Sequence, residues 1–161
     1  MPSDKELFDL WFAQPLRQLE AMPRGQGGFI ALATSCLLYE RLANALLSSK
    51  SIKADTKALI VELASDFSVD EPTAAAFWGV IRHGLLHEAM PLQRKRKTPL
   101  PKWAFHADYP LMALQQVKGS PFLKVQPWKF MNRVLELWDT NLSLLSASRS
   151  FPWATGGLVP A

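Results

Sequence analysis

Hydrophobic and polar positions along this chain repeat mostly with a helical period. In "DKELFDLWFAQPLRQLEAM", Leu7, Leu10 and Trp11 fall at helical spacing behind Ser3 or Asp4 as a cap. That pattern predicts a first helix, which Pro15 kinks or divides. The break "PRGQGG" precedes a long apolar stretch from Phe29 to Leu47. On a wheel of roughly 100° per residue, Thr34, Glu40, Arg41, Asn44 and Ser48 share one narrow polar stripe, which predicts a helix in the middle of a bundle. A third helix is predicted from Asp55 to Asp66, with Asp55 as N-cap. A fourth opens at Asp70-Glu-Pro-Thr, where Pro72 sits in the first turn and its missing N–H costs nothing. It is expected to end at Met90, because Pro91 disfavours helix in the residue before it.

The pattern changes after that. Prolines at 91, 99, 101, 110, 121 and 127 punctuate "WAFHADY", "LMALQQV" and "PFLKVQ", which predicts an insertion over 91–126 that is irregular or a short β-hairpin. A last helix follows from Pro127 to Leu145, with Phe130, Val134, Leu137 and Trp138 at helical spacing, and 146–161 reads as an irregular tail. The expected fold class is all-α, a bundle of four to five helices in one domain over 1–161, with 1–25 as its N-terminal helix.

Composition narrows this picture. At 161 residues, 48% hydrophobic and 20% charged, the chain suits one packed core and not a disordered segment. Its apolar runs read as too interrupted for a membrane span, and "MPSDKELFDLWF" lacks the basic-then-apolar order of a signal peptide. A cytoplasmic protein with no membrane partner is expected. The single cysteine, Cys36, has no internal disulfide partner and lies among aliphatics, where an inert buried thiol is expected. Net charge is +4, and "QRKRK" (Gln93 to Lys97) concentrates four cations in five residues.

Candidate chemistry lies in "FWGVIRHGLLHEAMP". On the wheel Ala74, Phe77, Trp78, Ile81 and Leu85 form one face, suited to the core. Ala76, Val80, His83, His87 and Met90 form the other, small and apolar apart from two imidazoles. Gly79 and Gly84 weaken the helix interior, and glycine there usually marks a close approach by another backbone or a ligand. Three readings of the polar groups stand side by side. The histidines are hydrogen-bonded core or interface residues, with Arg82 paired to Glu40 or Glu88. Alternatively, His83 and His87, at i and i+4, are two metal ligands, with His106, Asp108 or Glu88 as a third. The third reading is catalytic.

The run Arg82-His83-Gly84-Leu85-Leu86-His87 resembles the Arg, polar residue, three variable residues, His signature of the HEPN superfamily of small helical domains. The oily "FIALATSCLLYERLANALL" fits that family too, and the resemblance in architecture covers roughly 26–145. It implies a metal-independent endoribonuclease without cofactor, working as a two-fold homodimer through the helix of His83 and His87. Such proteins serve in toxin–antitoxin or phage-defence systems, so a cognate antitoxin is an implied partner beside RNA. His87 is then the general base or acid at a ribose 2′-hydroxyl, Arg82 holds the scissile phosphate, and His83 orients the phosphate or His87. Chemistry agrees: an imidazole titrates near ~6.5, and a guanidinium grips phosphate with a fixed two-pronged fork. The run Arg94-Lys95-Arg96-Lys97 is a candidate RNA-binding arm, with Trp103, Phe105, His106 and Tyr109 able to stack on unpaired bases. Glu40 is a candidate supporting residue for Arg82 or His83. The alternative function is a HEPN-like module that binds RNA, a nucleotide or a protein without cutting anything.

Overall fold

A computed structural model describes residues 3–91, 94–95 and 98–144, the backbone alone at 94–95 and 98–99. The chain opens with α1 (Asp4–Phe8), where Ser3 and Glu6 form a capping box, so two N-terminal donors are satisfied reciprocally. A π-helical turn, Asp9–Ala13, joins it to α2 (Gln14–Glu20), with Pro15 accommodated at the start of α2. Leu7 is buried, whereas Leu10 and Trp11 on the π turn are exposed, since the widened turn swings them off the core side.

The long α3 (Gly28–Ser49) is the spine of the domain. Among the described residues it is the one helix long and apolar enough to cross a bilayer by length and composition, which the sequence reading had not allowed, and half of that apolar window is buried inside the domain. It packs against α7 (Pro127–Thr140), where the buried Trp138 Nε1 donates to the Leu38 carbonyl at 3.1 Å. Between them run α4 (Thr56–Asp66) and α5 (Glu71–Phe77), each capped by an aspartate: Asp55 accepts from Ala58 N at 2.9 Å and Asp70 from Thr73 N at 2.8 Å. A second π turn, Trp78–Arg82, leads from α5 into α6 (His83–Glu88), which ends on Ala89 in the left-handed region at φ 56°.

The all-α expectation fails in the region after Pro91. A two-residue ladder pairs β1 (Arg94–Lys95) with β2 (Thr98–Pro99). A three-stranded mixed sheet follows: β3 (Lys102–Phe105), β4 (Met112–Val117) and β5 (Ser120–Val125), in the order β3-β5-β4. β4 and β5 form a hairpin whose two-residue turn, Lys118-Gly119, has φ of 50° and 75°, the twist that suits a tight antiparallel connection. β3 runs parallel to β5, with Trp103 opposite Leu123 and Phe105 opposite Val125.

Side chains directly opposite each other share a face, so Trp103, Phe105, Met112, Leu114, Leu123 and Val125 all point one way. Met112, Leu123 and Val125 are buried in the same apolar cluster as α3, α5 and α7. The Leu114 N–H reaches Thr73 Oγ1 on α5 at 3.4 Å. The sheet is therefore a wall of the core, and the fold is a mixed helix-and-sheet domain. Lys102, Lys124 and Phe122 take the opposite face.

Candidate functional site

Arg82 closes the second π turn, where the His83 N–H bonds to Trp78 five residues back. The Arg82 guanidinium lies 4.9 Å above the buried Trp78 ring. Its Nε donates to Glu40 Oε2 at 3.1 Å, and its Nη2 meets both Glu40 carboxylate oxygens. The two side chains are 16% and 24% exposed, so this is a partly buried ion pair tying the π turn to α3. Of the partners weighed for Arg82, the fold selects Glu40.

The two imidazoles lie beyond it. His83 and His87 are exposed, and their rings stand 4.5 Å apart on one side of α6, as i and i+4 spacing requires. The face drawn on a regular wheel is split. Val80 is fully buried and Ala76 half-buried, while His83, His87 and Met90 face outward. A π turn holds one more residue than an α turn, so everything past it lags the wheel by roughly 100°. The core face drawn from the sequence is unaffected: Ala74, Phe77, Trp78, Ile81 and Leu85 are all buried. A Cβ placed on Gly79 would meet nothing within 4 Å, so no close approach among the described residues accounts for that glycine.

Cys36 lies beneath the ion pair and is buried. Burial pushes its thiol well above the usual range; the Arg82 charge opposes this and the Glu40 charge adds to it. Among the described residues no group of three or more His, Cys, Asp or Glu side chains converges on a point, so His83 and His87 gain no third metal ligand from His106, Asp108 or Glu88. His106 instead pairs locally, its Nδ1 accepting the Asp108 N–H at 3.2 Å. Of the basic run, the backbone at Arg94 and Lys95 forms β1, while Arg96 and Lys97 lie outside the described residues.

No family model, curated protein or solved structure matches this chain.

Cavities lie elsewhere among the described residues. One of about 410 Å³ is lined by Leu100, Pro101, Lys102, Trp103 and Phe122. Another, about 340 Å³, is lined by the Arg24–Gly25 loop, Gly28, Phe29, the end of β3 and the start of α7. Sequence reasoning passed over Arg24, Phe29 and Trp128 in this setting; the glycines of "PRGQGG" were their one local signal.

Proposed function

We propose that this protein cleaves RNA without a metal, using Arg82, His83 and His87, in the manner implied by the HEPN resemblance. The observation that carries the reading is the exposed pair of imidazoles on α6, one turn beyond an arginine whose guanidinium is held in place by Glu40 and Trp78. Two neighbouring imidazoles can supply a base and an acid at neutral pH. In the proposed step His87 takes the proton of a ribose 2′-hydroxyl, and the freed oxygen attacks the adjacent phosphorus. The P–O5′ bond breaks, and an imidazolium returns a proton to the leaving oxygen. The products are a 2′,3′-cyclic phosphate and a 5′-hydroxyl. Nε and Nη2 of Arg82 are given to Glu40, so Nη1 is the prong that meets the phosphate.

Base and acid must act on opposite sides of the phosphorus, and one short helix offers its imidazoles from one side only. A second copy of the chain, meeting this one along α6 about a two-fold axis, supplies the other side. Open space at Gly79 and the exposed Met90 are compatible with such a seam.

A second reading is favoured by the ion pair itself. Glu40 already compensates the Arg82 charge, which suits a domain that binds RNA, a nucleotide or a protein without cutting. Incubation of purified protein with single-stranded RNA in EDTA separates the readings. Cleavage that leaves cyclic phosphate ends and is lost in His87→Ala supports the nuclease; intact RNA with a folded dimer supports the binding module.

A further inference from the structure

The cavity at the start of α3 combines features that the imidazole site lacks. One wall is aromatic: Phe29 meets Phe105 edge-on at 5.0 Å, and Trp103 packs 5.0 Å from Phe105 and 6.3 Å from Phe29. Trp128 and Pro127 at the head of α7 line it as well, close to Gly28, where an added Cβ would stand 3.8 Å from each. Arg24 stands at the mouth and is exposed, held in the left-handed region at φ 57° beside Gly25 at 67°. A non-glycine residue in that conformation is uncommon and is often found at binding sites. His106 completes the rim. Its Nδ1 accepts the Asp108 N–H, so the neutral ring carries its proton on Nε2, and the Asp108 carboxylate also lies 3.4 Å from Nδ1.

Charge and shape together indicate the occupant. Over 100–129 the chain carries Lys102, Lys118, Lys124 and Lys129 against one acid, Asp108, although it has 14 acids in all. A volume of about 340 Å³ lined by Phe29, Phe105 and Trp128 suits one planar ring system. Phe29 and Glu40 are eleven residues apart on α3, three full turns, so the cavity and the Arg82–Glu40 pair share a side of that helix about 17 Å apart.

We propose that this cavity seats one unpaired nucleobase of a single-stranded RNA, stacked between the Phe29–Phe105 wall and Trp128, with Arg24 and His106 Nε2–H meeting the phosphate next to it. The strand's identity as RNA rests on the function proposed above; the seating of a base in this cavity does not. A planar base fills the space in a way that an acidic side chain does not, and Arg24 in the cavity lining draws the backbone to it.

The test uses the whole protein and a 2′-O-methyl oligoadenylate of about 12 nucleotides, which has no free 2′-hydroxyl and cannot be cut by 2′-hydroxyl attack. Binding is read by fluorescence anisotropy and by tryptophan quenching. An abasic strand of the same length and charge is expected to bind the wild type at least about tenfold more weakly, as is the oligoadenylate to Phe29→Ala. Arg24→Glu is expected to weaken binding and to flatten its salt dependence. Equal binding of abasic and base-bearing strands, or poly-glutamate binding as tightly as the oligoadenylate, overturns the proposal without any variant that must fold. Base-dependent binding without RNA cleavage leaves this site standing and removes the nuclease. Cleavage with base-independent binding does the reverse.

Discussion

The start of α3 and its fourth turn carry two unlike centres on one side of the same helix. At the fourth turn Glu40 holds Arg82 beside two exposed imidazoles, groups that can move protons but enclose nothing. At the start, Phe29, Phe105, Trp128 and Arg24 enclose a volume and offer positive charge, with a single imidazole, His106, in the lining. Proton transfer tolerates an open site when the substrate is held elsewhere, whereas holding a strand needs surface. The pairing suggests a division of labour: one region grips and the other reacts.

The sharpest way to break that division is His87→Ala. Because His87 is exposed, its loss should leave the melting temperature unchanged while RNA cleavage falls about 10²- to 10⁴-fold, the usual weight of one acid–base group. Phe29→Ala should do the opposite, raising KM with kcat nearly intact. If both variants lose kcat equally, the two centres are one site.

The ion pair should matter for stability more than either imidazole. Arg82→Ala leaves the partly buried Glu40 carboxylate without its partner and removes the contact with Trp78. We expect a loss of about 2 kcal/mol in urea unfolding. Arg82→Ala with Glu40→Gln should recover most of it, because the stranded charge is gone. A double variant as unstable as the single would mean that stacking on Trp78, and not charge, holds the π turn.

At the other centre, Gly27 is buried where a Cβ would come within 2.7 Å of both Leu19 Cβ and the Leu19 carbonyl oxygen. Gly27→Ala forces the end of α2 away from α3 and should cost about 1–2 kcal/mol. The same shift moves the Arg24 loop, so strand binding should weaken while the Arg82–Glu40 pair, three turns away, is untouched. Denaturation and anisotropy on one sample check both halves.

Helix existence and the core face of α5 and α6 were legible because apolar periodicity is a local property, and Asp55 and Asp70 announced their helix starts. The π turns were not legible. "DLWFA" and "WGVIR" look like ordinary helix, and the extra residue per turn comes from packing, not from propensity. That is why Leu10 and Trp11 were read in line with Leu7 at plain helical spacing and Val80 was placed with the histidines. The β4–β5 hairpin left a trace in the alternation of Phe122, Leu123, Lys124 and Val125 around a Lys-Gly turn. The parallel pairing of β3 with β5 left none, because it depends on contacts made across the whole of β4. The all-α expectation failed there, and with it any view of the cavity, whose walls come from α3, β3 and α7. Of the candidate site, one pairing was legible: Glu40 as the partner of Arg82 was among the readings of the sequence, and the fold chose it.

The smallest expected effect concerns Asp66 at the end of α4. Tyr39 donates to Asp66 Oδ2 at 2.9 Å, next to the residue that holds Arg82. Burial raises the Asp66 pKa above its ordinary value, and the Tyr39 hydrogen bond opposes that rise only in part. A carboxyl raised in the folded state binds its proton more tightly there than in the unfolded chain. Its contribution is therefore complete below the ordinary value of 3.8 and is lost as pH rises through the folded-state value. Asp70 has the opposite sign: its carboxyl is lowered by bonds from Thr73, so its contribution is lost as pH falls. Asp66→Asn keeps an oxygen for the Tyr39 hydroxyl but cannot titrate. Urea midpoints measured from acid to neutral pH should show the variant gaining on the wild type as pH rises, with a curve shaped by Asp70 and the other lowered carboxyls. A constant gap between the curves would mean that Asp66 keeps its charge in the fold. The Tyr39 hydrogen bond, and not ionisation, would then link α4 to the helix that carries both centres.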